Sequence, residues 1–165
     1  MFHVVLVEPE IPHNTGSIAR LCLAADADLH LVKPLGFSLD DKYLRRAGMD
    51  YWPQVRVTLW ESWAELAEAR FAETGKAAPR HFLLTTKTDR PYDRATFRPG
   101  DYLVFGRETR GLPESLLHAA GPERLLTIPM APAARSLNLA TAAAVVLFEA
   151  VRQTRAAANV ASGGA

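Results

Sequence analysis

Tyr102-Leu103-Val104-Phe105-Gly106-Arg107-Glu108-Thr109-Arg110-Gly111-Leu112-Pro113 is the stretch on which the fold turns. Four apolar residues in a row suit a strand buried on both faces, the environment of a parallel sheet. They run straight into a loop where two glycines bracket Arg107, Glu108 and Arg110. Pro113 is a good first-turn residue for a short helix carrying Leu116 and Leu117. A charged, glycine-bracketed loop between strand and helix predicts a site, because ligands in open α/β sheets gather beyond the carboxyl ends of strands. Gly106 and Gly111 have the spacing that opens a P-loop. Leu112 and Pro113 then stand where that motif needs Lys and Ser or Thr, so nucleoside triphosphate binding is disfavoured. No dinucleotide GxGxxG is present.

Working outward, short strand-like runs recur at Val4–Val7, Leu29–Val32, Val55–Leu59, Phe82–Thr86 and Leu125–Ile128. Helical stripes lie between them. Ile18, Leu21, Cys22 and Ala25 share one helix face, as do Trp63, Leu66, Ala67 and Phe71. A last helix is expected from about Asn138 to Thr154, apolar around almost its whole circumference from Leu139 to Phe148. Such a helix is buried all round, here by the sheet and either a second subunit or its own loops. The order β-α-β-α-β-α-β-β-α-β-α predicts an α/β domain, a mostly parallel sheet with helices on both faces. Residues 1–153 form this single domain, and 154–165 read as a disordered tail.

The 165 residues suffice for one core, and 48% apolar with 22% charged residues is an ordinary globular balance. A net charge of +1 excludes a protein held on nucleic acid by bulk charge alone. Cys22 is the lone cysteine, so no intrachain disulfide forms. No signal-peptide pattern opens the chain. The longest apolar stretch, Leu137 to Val151, carries Asn138 and Glu149, against a membrane span. A cytoplasmic protein is expected. The histidines at 3, 13, 30, 81 and 118 are scattered, so no metal is expected. No GxSxG elbow supports serine hydrolysis.

Two more loops follow predicted strands. Glu8-Pro9-Glu10-Ile11-Pro12-His13-Asn14-Thr15-Gly16 leads to Arg20, with Asn14 a candidate N-cap. Taken alone it is either a capped helix with a solvated arginine or an anion site. Ile128-Pro129-Met130-Ala131-Pro132-Ala133-Ala134-Arg135-Ser136-Leu137-Asn138-Leu139 is stiffened by prolines, and Ser136 or Asn138 can cap the last helix. Lys42, Arg45 and Arg46 form a basic cluster near Tyr51 and Trp52. This suits phosphate contacts with base stacking, or a solvated helix face partly neutralised by Asp40 and Asp41.

Together the three loops resemble the three motifs of the SPOUT methyltransferases of the TrmH/SpoU type. Asn14-Thr15-Gly16 through Arg20 is similar to the first motif, Phe105 to Pro113 to the second, and Ile128-Pro129-Met130 with Arg135 to Leu139 to the third. Glu8 to Pro12, Gly36-Phe37, Asp40-Asp41-Lys42, Leu44 to Gly48, Asp50-Tyr51 and Thr85-Thr86-Lys87 resemble the single-domain TrmL (YibK-like) tRNA (cytidine/uridine-2′-O)-methyltransferases. The resemblance implies a deep carboxyl-terminal trefoil knot, an exception to the rule of unknotted chains. It implies a homodimer, S-adenosylmethionine as cofactor and the tRNA wobble nucleotide, cytidine or uridine at position 34, as target. By matching position, Leu84, Thr85, Gly106, Ile128, Ser136 and Leu137 would contact the cofactor. Arg20, Glu108, Ser136 and Asn138 would serve catalysis, and Lys42, Arg45, Arg46 and Tyr51 the RNA. The competing readings are a SPOUT enzyme acting on another tRNA position or on ribosomal RNA, and a non-catalytic RNA-binding protein of the same fold.

Overall fold

Alternation along the strands sorts the core into two layers. In β1 (His3–Val7), Val4 and Leu6 face one side while Val5 and Val7 face the other. The computed structural model describes residues 1–39, 51–72 and 79–162. The remaining strands are β2 (Asp28–Val32), β3 (Val57–Trp60), β4 (His81–Leu84), β5 (Tyr102–Phe105) and β6 (Leu125–Leu126). The order is β3-β2-β1-β5-β4-β6, and every pairing is parallel. Helices α1 (Pro12–Ala25) and α4 (Leu139–Ser162) cover the Val4/Leu6 face through Ile18, Cys22, Ala143, Val146 and Leu147. Helices α2 (Trp63–Phe71) and α3 (Glu114–Ala120) cover the other through Leu66, Leu116 and Leu117, with Leu112 of the preceding loop beside them. The all-parallel arrangement gathers the loops after β1, β4, β5 and β6 at one end.

The expected boundaries shift for local reasons. β3 begins later than Val55 because that residue closes the 3₁₀ turn Trp52–Gln54, donating to the Trp52 carbonyl at 3.0 Å. β6 stops at Leu126 because Thr127 turns its backbone groups to Arg90 and Tyr92. α1 begins at Pro12 with Ile11 as N-cap, so Asn14 lies inside the first turn instead of capping it. Proline fits that start because its fixed φ is helical and it has no N–H to satisfy. α4 runs past Thr154 to Ser162, where an unstructured tail was expected. The alanines at 156 to 158 explain this, alanine being the strongest helix former. The helix expected between β2 and β3 and the Lys42, Arg45 and Arg46 cluster lie outside the described residues.

A polar cluster runs from His3, the first residue of β1, through His30 in the middle of β2 to Trp60, the last residue of β3. The Trp60 indole N–H donates to His30 Nδ1 at 3.1 Å. Indole only donates, so the neutral His30 ring carries its proton on Nε2, 3.2 Å from His3 Nδ1. His3 stacks on Tyr102 with ring centroids 4.2 Å apart. Burial, then the neighbouring His3, pushes the His30 pKa down to about 4. His3 is lowered by burial too. A histidine with a pKa lowered by folding binds more protons when unfolded, so its contribution is present above about pH 6.5 and is lost as pH falls toward 4. For His30, 2% exposed, the loss is on the order of 3 kcal/mol. The melting temperature, measured by circular dichroism from pH 7.5 to 4.5, is expected to fall across this window. His30→Gln, which still accepts from Trp60, is expected to flatten the profile.

Candidate active site

The three sequence loops converge on the Glu108 carboxylate. Its Oε2 accepts the Glu10 amide at 2.8 Å and its Oε1 accepts the Ile11 amide at 3.2 Å. Oε1 also accepts the Asn14 side-chain amide at 3.1 Å. A carboxylate from the β5 loop thus sits at the amino end of α1, where charge and helix dipole agree. Asn14 in turn accepts from the Asn138 side-chain amide at 2.9 Å. Asn138 Oδ1 caps α4 by accepting from Ala140 and Thr141. The Glu10 carboxylate reciprocates by accepting from the Thr109 amide and hydroxyl. Arg107 pairs with Glu8, and Gly36 donates to the Pro9 carbonyl at 2.9 Å, closing the loop from below.

The Gly106–Gly111 loop needs both glycines. Arg107 and Gly111 exchange two backbone hydrogen bonds, of 3.1 and 2.9 Å. This brings the chain so close that a Cβ on Gly106 would sit 2.1 Å from the Gly111 carbonyl carbon. Gly111 has φ of +68°, the left-handed region that favours glycine.

The loops enclose a cavity of about 590 Å³. All six residues expected to hold a cofactor, Leu84, Thr85, Gly106, Ile128, Ser136 and Leu137, line it, and so do Glu108 and Asn138. Its size and mixed lining suit a nucleoside-sized ligand. Residues 131 to 138 are solvent-exposed, so one wall is open. Sequence reasoning missed Lys87, Thr127 and Met130 on the lining, and Asn14 as the link between Glu108 and Asn138. The signal for Asn14 was its amide, able to donate and accept at once.

Arg20 does not line this cavity. It is exposed on α1, its guanidinium 4.5 Å from the ring centre of Tyr51. The Tyr51 hydroxyl donates to the Gly16 carbonyl at 2.5 Å, fixing the ring beneath the arginine. Among the described residues, one group of metal-ligating side chains lies together, His3, Asp28 and His30. It is at the far end of the sheet, and the Trp60 bond leaves His30 Nε2 protonated and without a lone pair to offer.

The sequence pattern of the SpoU rRNA methylase family matches residues 1–148. The chain belongs to this family. A relative, the tRNA (cytidine(34)-2′-O)-methyltransferase of Methylovorus glucosotrophus, is 49% identical over 153 residues, covering 93% of this chain and 96% of the relative. A solved structure concerned with 2′-OH methylation of C/U34 on tRNA superimposes with TM-score 0.84 at 46% identity, over 94% of this chain and 97% of that one. The SpoU methyltransferase AviRb of Streptomyces viridochromogenes, in complex with the cofactor AdoMet, superimposes with TM-score 0.78 at 29% identity, over 93% of this chain and 57% of that one. No helix among the described residues is long and apolar enough to cross a membrane.

Removing the Glu108 carboxylate strands three donors at once. Glu108→Ala is expected to cost on the order of 2 kcal/mol in a urea titration. Asn14→Ala acts on the same network, so the double variant is expected to lose clearly less than the sum of the single losses.

Proposed function

We propose that this protein transfers the methyl group of S-adenosylmethionine to the ribose 2′-hydroxyl of the nucleotide at position 34 of tRNA, cytidine or uridine. The observation that carries the reading is the meeting of three separated loops in one cavity, on a chain nearly half identical to a tRNA (cytidine(34)-2′-O)-methyltransferase. The residues present fit the cofactor. Leu84, Ile128 and Leu137 offer an apolar seat, Thr85 and Ser136 offer hydroxyls, and Gly106 lets the Gly111-Leu112 backbone fold closely against the lining. When bound, S-adenosylmethionine supplies an electrophilic methyl group on a positively charged sulfur.

The chain's own part is positioning. Glu108 has both oxygens engaged by α1 donors and acts as a positioning residue. Asn138 and Asn14 tie the Ser136-Leu137 wall to it. Arg20 is always charged, so its role is to anchor a flanking phosphate and stabilise developing negative charge on the ribose oxygen. Lys42, Arg45, Arg46 and Tyr51 are the RNA-binding set of this reading.

A homodimer completes the open cavity. On the outer side of α4, Ala144, Val145 and Phe148 form an apolar stripe, Phe148 being 44% exposed. Leu23 of α1, 39% exposed, adds to the apolar surface of that helical layer. The trefoil knot is supported by the course of the chain around β6. The Thr85 amide reaches the Leu126 carbonyl from one edge, while Arg90 and Tyr92 bond Thr127 from the other.

The test is methyl transfer to unmodified total tRNA with nucleoside mass spectrometry. New 2′-O-methylcytidine or 2′-O-methyluridine mapping to position 34 is expected, and its absence from a cofactor-binding protein would overturn the assignment. Gly106→Ala is expected to abolish calorimetric binding of S-adenosylmethionine, because the Cβ meets backbone that cannot yield. Arg20→Lys is expected to lose most activity while binding cofactor normally, since an ammonium cannot make the forked phosphate contact.

A further inference from the structure

A second cleft, of about 410 Å³, opens where β4 begins, between the 3₁₀ turns Tyr92–Arg94 and Pro122–Arg124. It shares no lining residue with the first cavity. Arg80, Arg90, Arg94 and Arg124 line it, with His81 and one carboxylate, Glu123. Arg80 is held by a fork to buried Asp101, at 2.9 and 2.6 Å, and donates to the Thr96 carbonyl at 2.8 Å. Arg90 donates to the Glu123 carbonyl. Arg124 lies 2.8 Å from His81 Nδ1, a contact that requires a neutral imidazole, and 3.8 Å from the Glu123 carboxylate. The exposed Arg94 side chain makes no hydrogen bond or ion pair among the described residues. Asp89 and Asp93 lie on the same segment, yet neither lines the cleft nor pairs with these arginines.

Four guanidinium groups therefore crowd one cleft with two carboxylates to answer them, and one of those is buried behind Arg80. Such a concentration of like charge is unfavourable until an anion enters, and arginine forks match phosphate oxygens. The cleft is also well placed. β4 runs from His81 at the cleft to Leu84 at the cavity, a span of about 10 Å. On the outer edge Pro91 bridges Thr127, a cavity-lining residue. Resting on the tRNA reading above, we propose that this arginine cleft binds backbone phosphates of the tRNA outside the methylated nucleotide. Phosphate contacts of this kind fix register without reading sequence.

The experiment measures tRNA binding by fluorescence anisotropy across a salt series, for wild type and Arg90→Gln/Arg94→Gln. Two lost phosphate contacts are expected to reduce the slope of log K against log salt by about 1.4 to 1.8. Arg94→Glu is expected to weaken binding further, and Arg94→Lys to restore most of the slope. KM for tRNA should rise several-fold with kcat, cofactor affinity and melting temperature unchanged. An unchanged slope in the folded double variant overturns the proposal. Inorganic phosphate shifting the His81 ring resonances while the tRNA slope stays unchanged also overturns it, leaving a small-anion site. Because binding is read directly, the cleft is tested whether or not methyl transfer is seen. A variant that binds normally beside a wild type that methylates position 34 sinks only this inference.

Discussion

One carboxylate organises the functional end of the molecule. Glu108 leaves the end of β5 and meets two backbone amides at the start of α1 and the Asn14 amide inside its first turn. The positive end of the helix dipole faces this carboxylate, so the charge stabilises the helix while the residues leading into it hold the charge. Asn14 passes the connection to Asn138, which caps α4. A chain of short polar contacts thus couples residues more than ninety positions apart in sequence. The cavity wall around Ser136 and Leu137 takes its position from this chain, since residues 131 to 138 are left exposed by the other described residues of the protomer.

The parallel sheet makes that convergence possible. Each strand enters from the same end, so the loops after β1, β4, β5 and β6 must emerge together. Two-sided burial demands apolar strands, and among the described residues two helices on each face supply the cover. The polar side chains are thereby pushed to the two ends. Across β1 to β3 they close on themselves in the Trp60–His30–His3 relay, and at the start of β4 they line the arginine cleft. At the carboxyl end they leave a cavity.

Much of this was legible because it is local. Four apolar residues before Gly106 announce a buried strand, and Pro113 announces the helix after it. The strand ends were less legible because they depend on distant partners. β6 is short because Thr127 pairs with a segment thirty-odd residues earlier, which no window of sequence contains. The N-cap of α1 is Ile11 and not Asn14 for the same reason: the Asn14 side chain is engaged by Glu108 and Asn138, partners far away in sequence. Of the site, all six proposed cofactor contacts share one cavity, since motif loops at strand ends are bound to meet there. Arg20 does not join them within one chain, because it sits on the outer side of α1 over Tyr51.

The nearly neutral chain still presents strong local charge. At physiological salt, fields fade over about 8 Å, so a net charge of +1 says little about what any one surface feels. Around the cavity, Arg107 is answered by Glu8 and Lys87 by Glu114, while the charge of Glu108 is spent on amide donors. Arg110 and Arg135 are left at the rim with no ion pair among the described residues. At the start of β4, four arginines outnumber their carboxylates. Acidic residues meanwhile collect at the amino end of the sheet, where Asp26 and Asp28 grip Arg56. Balance over the whole chain and excess at chosen places are compatible, and the second is what a polyanion such as RNA encounters on close approach.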